Sequence, residues 1–140
     1  KKNIMYFWYI HNNAFFIKKT FIDKVKNLKK PGFMNFLFDG KNFRGYGIES
    51  ELILKAYKMS MAAAITSEVW AEENESHLLK KSSLIKTEPY DDNLKLYLKE
   101  GMKWLKKKYN FESRWDLSIH TKKFYDKFFI KNKNLIKYKI

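Results

Sequence analysis

Apolar residues recur at helical spacing most clearly over residues 91–109. These residues form an apolar stripe with the spacing i, i+3, i+4, i+7, i+8 and i+11. They are Leu94, Tyr97, Leu98, Gly101, Met102 and Leu105. Such spacing places one apolar face on an α-helix. Asp91 and Asp92 suit the positive N-terminal end of its dipole. The pattern predicts a helix over 91–109, which Tyr109 and Asn110 close.

The first half of the chain carries two weaker helical patterns. In residues 13–30 the apolar positions are Phe15, Phe16, Phe21, Ile22, Val25 and Leu28. Asn13 can cap this helix, and the Pro31-Gly32 pair stops it. A second helix over 51–66 is predicted after a Ser50 cap. Its apolar side consists of Ile53, Ala56, Tyr57, Met61, Ala64 and Ile65.

Two further helices are predicted in the second half. A short one at 68–81 precedes a loop that ends at Pro89. The last helix begins after Ser113, because Ser113 and Asp116 have the S/T-x-x-D/E spacing of a capping box, with Asp as a shorter substitute for Glu. Its apolar and basic positions include Trp115, Ile119, Lys122, Tyr125, Phe128 and Phe129.

Two aromatic segments do not follow the helical period. The apolar run 4–10 is interpreted as a buried strand or as an aromatic anchor. A run of this length without periodicity does not distinguish the two structures. In residues 33–47, Asp39 and Gly40 between aromatic runs favour a β-hairpin, with a packed aromatic loop as the alternative.

These patterns predict a mainly α protein. We expect four to five amphipathic helices and a short aromatic β-hairpin or loop near 33–47. The alternative is an α+β protein with a ferredoxin-like N-terminal half, whose final strand would lie near 84–87. A chain of 140 residues suits a single domain, 1–140, with 131–140 as a basic C-terminal tail.

Composition adds an expectation about partners. Aromatic residues make up 18% of the chain, and 29 basic residues face 15 acidic ones, for a net charge of +14. That excess attracts polyanions such as nucleic acid, an anionic membrane or acidic proteins. Of the 29 basic residues only Arg44 and Arg114 are arginine, and Gln is absent. This bias is also typical of an AT-rich genome, which would raise the lysine content without a functional cause.

The sequence offers little catalytic chemistry. The chain has no Cys, and its three histidines show no metal-ligand spacing. It has neither a phosphate-binding glycine loop nor a nucleophile elbow. Asp116 and His120 stand at i, i+4, which favours a helix-surface pair over a base and its orienting group. We therefore expect a non-catalytic protein with no cofactor and no metal.

Two segments resemble parts of known families. Arg44-Gly45-Tyr46-Gly47-Ile48 resembles the opening of the RNP1 signature of RNA-recognition motifs, although Glu49 and Ser50 depart from its continuation. The segment from Lys55 through Trp70 resembles the helix-to-Trp region of subunit 7 of the mitochondrial cytochrome bc1 complex, and residues 97–100 resemble a later stretch of that subunit. The second resemblance implies an accessory role in a respiratory complex.

Basic and aromatic residues together suggest an RNA or anion interface. The candidate basic residues are Lys29, Lys30, Lys103, Lys106, Lys107, Lys108, Arg114, Lys122, Lys123, Lys131, Lys133, Lys137 and Lys139. The candidate aromatic contacts are Trp8, Trp104, Tyr109 and Trp115. Lysines neutralise phosphates, and aromatic rings stack on unpaired bases. The alternative is a helix pair whose outer faces are rich in lysine.

The leading hypothesis is a structural subunit of a mitochondrial (organellar) ribosome, which contacts rRNA through its lysine-rich helices and tail. The alternative is an accessory subunit of a mitochondrial respiratory-chain complex, packed on neighbouring subunits at the membrane surface, with its lysines toward anionic lipid. The chain does not begin with Met, and we expect a removed N-terminal targeting segment and a mitochondrial location.

Overall fold

A computed structural model describes residues 3–9, 16–25, 48–69, 95 and 97–140 of the chain. The elements in these residues are β1 (Ile4–Tyr6), α1 (Lys19–Val25), α2 (Ile48–Lys58), β2 (Ala64–Thr66), a π-helical turn (Tyr97–Gly101), α3 (Met102–Tyr109), α4 (Arg114–Lys131) and a 3-10 helix (Lys133–Tyr138). The described part is mainly helical and has a small two-stranded antiparallel sheet. This confirms the predicted fold class.

The helix α2 is the centre of the described fold, because its apolar side chains take part in three separate clusters. The α2 residues in the three apolar clusters are Ile53 and Tyr57 in the first, Leu54 in the second, and Leu52 and Ala56 in the third. The first cluster joins α2 to α4 and to the residue after β1, the second joins it to α3 and α4, and the third joins it to α1.

The sheet joins three distant parts of the chain. β1 pairs antiparallel with β2, and Met5 lies opposite Ile65 in the register. On the other side of β1, Tyr6 forms a parallel bridge with Lys139, and the amide of Ile140 donates to the carbonyl of Tyr6 at 3.3 Å. The predicted basic tail is therefore folded back against β1 along residues 133–140.

The helix α4 confirms the predicted start after Ser113. The Ser113 hydroxyl accepts from the amide of Asp116 at 3.2 Å, and the Asp116 carboxylate accepts from the amide of Ser113 at 2.8 Å. This reciprocal pair satisfies two amides that the helix itself leaves unpaired. The preceding helix, α3, ends as predicted at Asn110, which adopts the left-handed conformation with φ 58°.

Other helix boundaries differ from the predictions. α1 begins at Lys19 rather than near Asn13, because residues 16–18 are not helical. α2 spans 48–58 rather than 51–66, so that Ser50 is a buried residue within the helix and not its cap. The left-handed backbone of Ser60, with φ 55°, ends this helix and lets the following residues extend into β2.

Part of the predicted helix over 91–109 is also different, because residues 97–101 form a π-helical turn before the regular helix. Residues 67–69 are bends and not the start of a helix. Several predictions lie outside the described residues: the hairpin at 33–47, the helix at 70–81, a strand near 84–87, the Asn13 cap, and the anion-binding roles of Lys29 and Lys30.

Candidate functional site

Aromatic and basic side chains meet along one flank of α4, close to its N-terminus. Trp115, in the first turn, keeps 55% of its surface exposed. The Tyr9 ring lies against it, with 5.1 Å between the centroids and 40° between the planes. The Arg114 guanidinium carbon lies 5.6 Å from the Trp115 centroid. We call Trp8, Tyr9, Arg114, Trp115 and Lys122 the aromatic–basic strip.

The second half of the strip lies two turns further along α4. Trp8 packs on the buried ring of Tyr125, with their centroids 5.1 Å apart. The Lys122 ammonium lies 5.5 Å from the Trp8 centroid on the solvent side. Trp8 and Tyr9 thus lie along the helix flank, because Phe7 just before them is buried in the first apolar cluster.

The positive charge at the Lys122 end of the strip is only partly neutralised. Lys122 and Lys139 both bind the carboxylate of Asp126, at 2.7 and 2.8 Å. These two hydrogen bonds lower the pKa of the Asp126 carboxyl below its ordinary value, so the carboxylate stays ionised. Two cations share one anion, and the group keeps a net positive charge.

Of the candidate basic residues, Lys106 and Lys108 also bind carboxylates within the described chain. Lys106 binds Glu112 at 2.7 Å on the surface. Lys108 binds Glu51, and its ammonium lies 5.3 Å from the centroids of both Trp104 and Tyr109. Lys108 is therefore turned toward the protein, although the sequence groups it with Lys106 and Lys107.

On α3, on α4 and in the C-terminal segment, seven exposed lysines have no carboxylate within ion-pair distance in the described part of the chain. They are Lys103, Lys107, Lys123, Lys127, Lys131, Lys133 and Lys137. All but Lys127 are among the residues singled out from the sequence. They lie on α3, on α4 and in the C-terminal segment. We call them the open lysines.

Two of the candidate aromatic contacts lie inside the protein. Trp104 is 8% exposed and packs in the second apolar cluster. Tyr109 is half-buried, and its hydroxyl donates to Glu51 at 2.7 Å. Glu51 itself is 1% exposed, so this carboxylate is held inside by Tyr109, Lys108 and, at 3.7 Å, Lys55. The arrangement fastens α3 to α2, because removing either charge would leave the other poorly neutralised.

The pair of Asp116 and His120 does not form in this fold. Asp116 is occupied by the backbone amides at the start of α4, and His120 lies between the rings of Phe111 and Phe124. Partial burial, with smaller contributions from Lys58 and Lys123, lowers the pKa of the His120 imidazole below its ordinary value. The imidazole has no carboxylate to orient it in the described chain.

Two tyrosine hydroxyls on the inward side are held by the backbone. Tyr57 donates to the carbonyl of Phe7 at 2.7 Å and lies 3.1 Å from that of Ala63. The Tyr125 hydroxyl lies 2.7 Å from the carbonyl of Ile140. Burial raises the pKa of both hydroxyls above the ordinary value, so both stay protonated and act as donors that join chain segments.

Within the described ranges, no group of three or more His, Cys, Asp or Glu side chains is arranged to hold a metal ion. Among the same residues, no helix has the length and apolar character needed to cross a membrane.

Sequence reasoning missed Tyr9 and Lys127 as surface residues of this region and Glu51 as a buried one. Strand alternation would not have found Tyr9, because it places Tyr9 on the side of the buried Phe7. Lys127 lies one helical turn after Lys123 on the same face. No local signal marks Glu51 as buried, because Lys108 and Tyr109, which bind its carboxylate, lie more than 50 positions away.

Comparisons with known proteins identified no relative: no family model, no curated protein sequence and no solved structure matches the chain.

Proposed function

We propose that this protein is a non-catalytic structural subunit of a large assembly, and that it binds the RNA backbone through the open lysines. The assembly that we propose is a mitochondrial ribosome with rRNA as the partner. The observation that carries this proposal is the set of open lysines on α3, α4 and the C-terminal segment. A charge excess without internal partners on a folded surface favours a polyanion as the partner.

The type of cation supports backbone binding over the reading of bases. Lysine is a mobile point charge that neutralises phosphates and releases counterions. Base-specific recognition favours the forked guanidinium of arginine, and the chain has only two arginines. We therefore propose that the lysine surface follows the shape of structured RNA.

The experiment is a salt titration of RNA binding by the full chain. Lys123→Ala with Lys127→Ala removes two exposed charges from α4 without touching its buried face. If each lysine neutralises one phosphate, the slope of log K against log salt should fall by about 1.5. The matched control is Lys18→Ala with Lys24→Ala, which removes one exposed lysine just before α1 and one within α1. This double variant should lower the slope less.

Equal slopes for the two double variants would contradict binding through α4. An absence of salt-sensitive RNA binding by the unaltered chain would contradict the proposal as a whole. Native purification, followed by identification of the co-migrating proteins and any rRNA, tests the ribosomal assembly and the mitochondrial location.

A second candidate function is an accessory subunit of a mitochondrial respiratory-chain complex. The observation that favours it is the exposure of Ile119, Ile130 and Ile136, at 61%, 69% and 58%, on an otherwise basic surface. Isoleucine gains little from phosphates but buries apolar area against a neighbouring subunit or lipid. Co-purification with detergent-solubilised membrane subunits, without RNA binding, would favour this function over the first.

A further inference from the structure

We propose that the aromatic–basic strip binds an unpaired nucleotide, whose base stacks on Trp115 while a neighbouring phosphate is held by Arg114 or Lys122. This inference rests on the proposed RNA-binding function and narrows it. The open lysines would follow the backbone of any RNA, whereas the strip would select RNA with an exposed base. An exposed indole and two cations lie together on one flank of α4.

Trp115 is large, apolar and more than half exposed, although α4 has a buried face at the same level. Leu117, two residues later on the inward face, is fully buried, which shows that the helix has a covered side at this level. The indole instead offers an aromatic surface to solvent. Such surfaces bind bases of any sequence, because every base has a π-face.

The indole is also held in place before any ligand arrives. The Tyr9 ring supports it at 5.1 Å, and Tyr9 follows Phe7 and Trp8, which pack against the core. Arg114 adds a cationic group near the same ring. A side chain that is already ordered loses less conformational entropy on binding, so more of the stacking free energy appears as affinity.

The charges along the strip favour a phosphate, because Lys122 shares the single carboxylate of Asp126 with Lys139 and this group keeps a net positive charge. Asp116 is the nearest acid in sequence, but its carboxylate accepts from the amides of Glu112 and Ser113. Glu112 in turn binds Lys106. Because Asp116 occupies the amides at the helix start, those amides are not a phosphate site, and the side chains of the strip have that role.

The spacing of the cations suits a nucleotide that lies along the helix. Lys122 is seven residues after Trp115, which places it two turns, or roughly 10.5 Å, further along the same flank. Arg114 adjoins the ring at the other end. A base on the indole would therefore have a cation on each side of its backbone linkage.

The test compares two probes that carry the same phosphates. One is a short oligouridylate, and the other is an abasic oligoribonucleotide of equal length. The unaltered chain should bind the oligouridylate about fivefold or more tightly than the abasic probe, which is the lower end of the effect of one stacked base. Trp115→Leu should remove this ratio and leave the affinity for the abasic probe unchanged.

Two further variants control for the fold and for the ring. Phe16→Leu changes another exposed aromatic residue, 89% exposed and outside the strip, and should keep the ratio. Trp115→Tyr keeps an aromatic ring and should retain a ratio clearly above that of Trp115→Leu. Circular dichroism spectra of all variants should match that of the unaltered chain, since Trp115 is not part of an apolar cluster.

The outcomes separate this inference from the proposed function. Equal affinity of the unaltered chain for both probes, with steep salt dependence, would overturn the nucleotide site and leave backbone binding intact. No binding of either probe would overturn both. Trp115-dependent binding to anionic phospholipid vesicles, without a preference for bases, would also overturn the nucleotide site and would assign the strip to a membrane surface.

Discussion

The inward and outward faces of α4 both carry large apolar side chains, but the two faces have different neighbours. Tyr125 and Phe129 on the inward face are at most 2% exposed, whereas Ile119 and Ile130 on the outward face are more than 60% exposed. Phe129 and Ile130 are consecutive in the chain. Residue type alone therefore does not decide burial here, and the direction of each side chain around the helix axis does.

On the inward face the aromatic rings pack against one another. Tyr125 meets Tyr57 edge to face at 5.5 Å and Phe129 at 5.0 Å, and Tyr6 meets Phe129 at 5.7 Å. Such edge-to-face ring contacts stabilise the fold beyond the gain from burying apolar area. On the outward face the isoleucines alternate with Lys123 and Lys127, so that an apolar and cationic surface is left for a partner.

The largest expected effect separates the consecutive residues Phe129 and Ile130. Phe129→Ala leaves a cavity in the first apolar cluster and should lower the free energy of unfolding by about 3–5 kcal/mol. Ile130→Ala removes an exposed side chain and should change it by less than about 0.5 kcal/mol. Urea unfolding, followed by circular dichroism, measures both. Similar losses for the two variants would contradict the inward and outward assignment.

A smaller effect is expected for the hydroxyl that joins the inward face to the C-terminal segment. Tyr125→Phe removes the hydrogen bonds to the backbone of Ile140 and should cost about 1 kcal/mol. Amide hydrogen exchange at Lys139 and Ile140 should become faster, because that segment is then held less firmly. Tyr138→Phe is the control, since its hydroxyl has no hydrogen bond in the described chain. Unchanged exchange in Tyr125→Phe would exclude this role.

His120, at the border between the two faces, should make the stability of the protein depend on pH. The pKa of His120 in the folded state lies below its ordinary value of 6.5, mainly because of burial, with Lys58 and Lys123 adding to it. The unfolded state therefore binds the proton more tightly, and stability should fall as the pH drops through about 6.5. His120→Phe should reduce this loss, as judged from urea midpoints at neutral and mildly acidic pH. An equal loss in both proteins would assign it to other groups.

The smallest expected effect lies on the outward side, at Asp126. Its pKa is lowered by Lys122 and Lys139, so its contribution is present above the ordinary value of 3.8 and is lost as the pH falls through the lower folded value. The carboxylate is accessible to water and salt, and its contribution should be about 0.2–1 kcal/mol. Asp126→Asn should remove this acid-sensitive part and its salt dependence, as measured by thermal unfolding over acidic pH.

The control for Asp126 is Asp23→Asn, because Asp23 binds Lys19 in the same i, i+4 arrangement but lies on α1. That variant should leave the acid sensitivity of the C-terminal segment unchanged. If both variants shift the acid transition equally, the two-lysine arrangement at Asp126 has no particular role.

Much of the candidate site could be predicted from residue type, but its arrangement could not. The sequence indicated Trp8, Arg114, Trp115 and Lys122 as surface candidates, and all four lie in the strip. It grouped Trp104 with them, although Trp104 is buried in the second apolar cluster. Both tryptophans adjoin basic residues in the chain, so a local pattern does not tell the exposed indole from the buried one.

The sequence by itself determined the features that depend on neighbours a few residues apart. Ser113 and Asp116 close a capping box, and Asn110 ends α3, because these interactions span one helical turn and depend little on the rest of the fold. Tertiary structure alone decided the pairing of β1 with β2, the return of Lys139 to Tyr6, and the burial of Glu51. Each of these joins segments more than 50 positions apart, where packing and the satisfaction of buried polar groups, and not local propensity, select the contact.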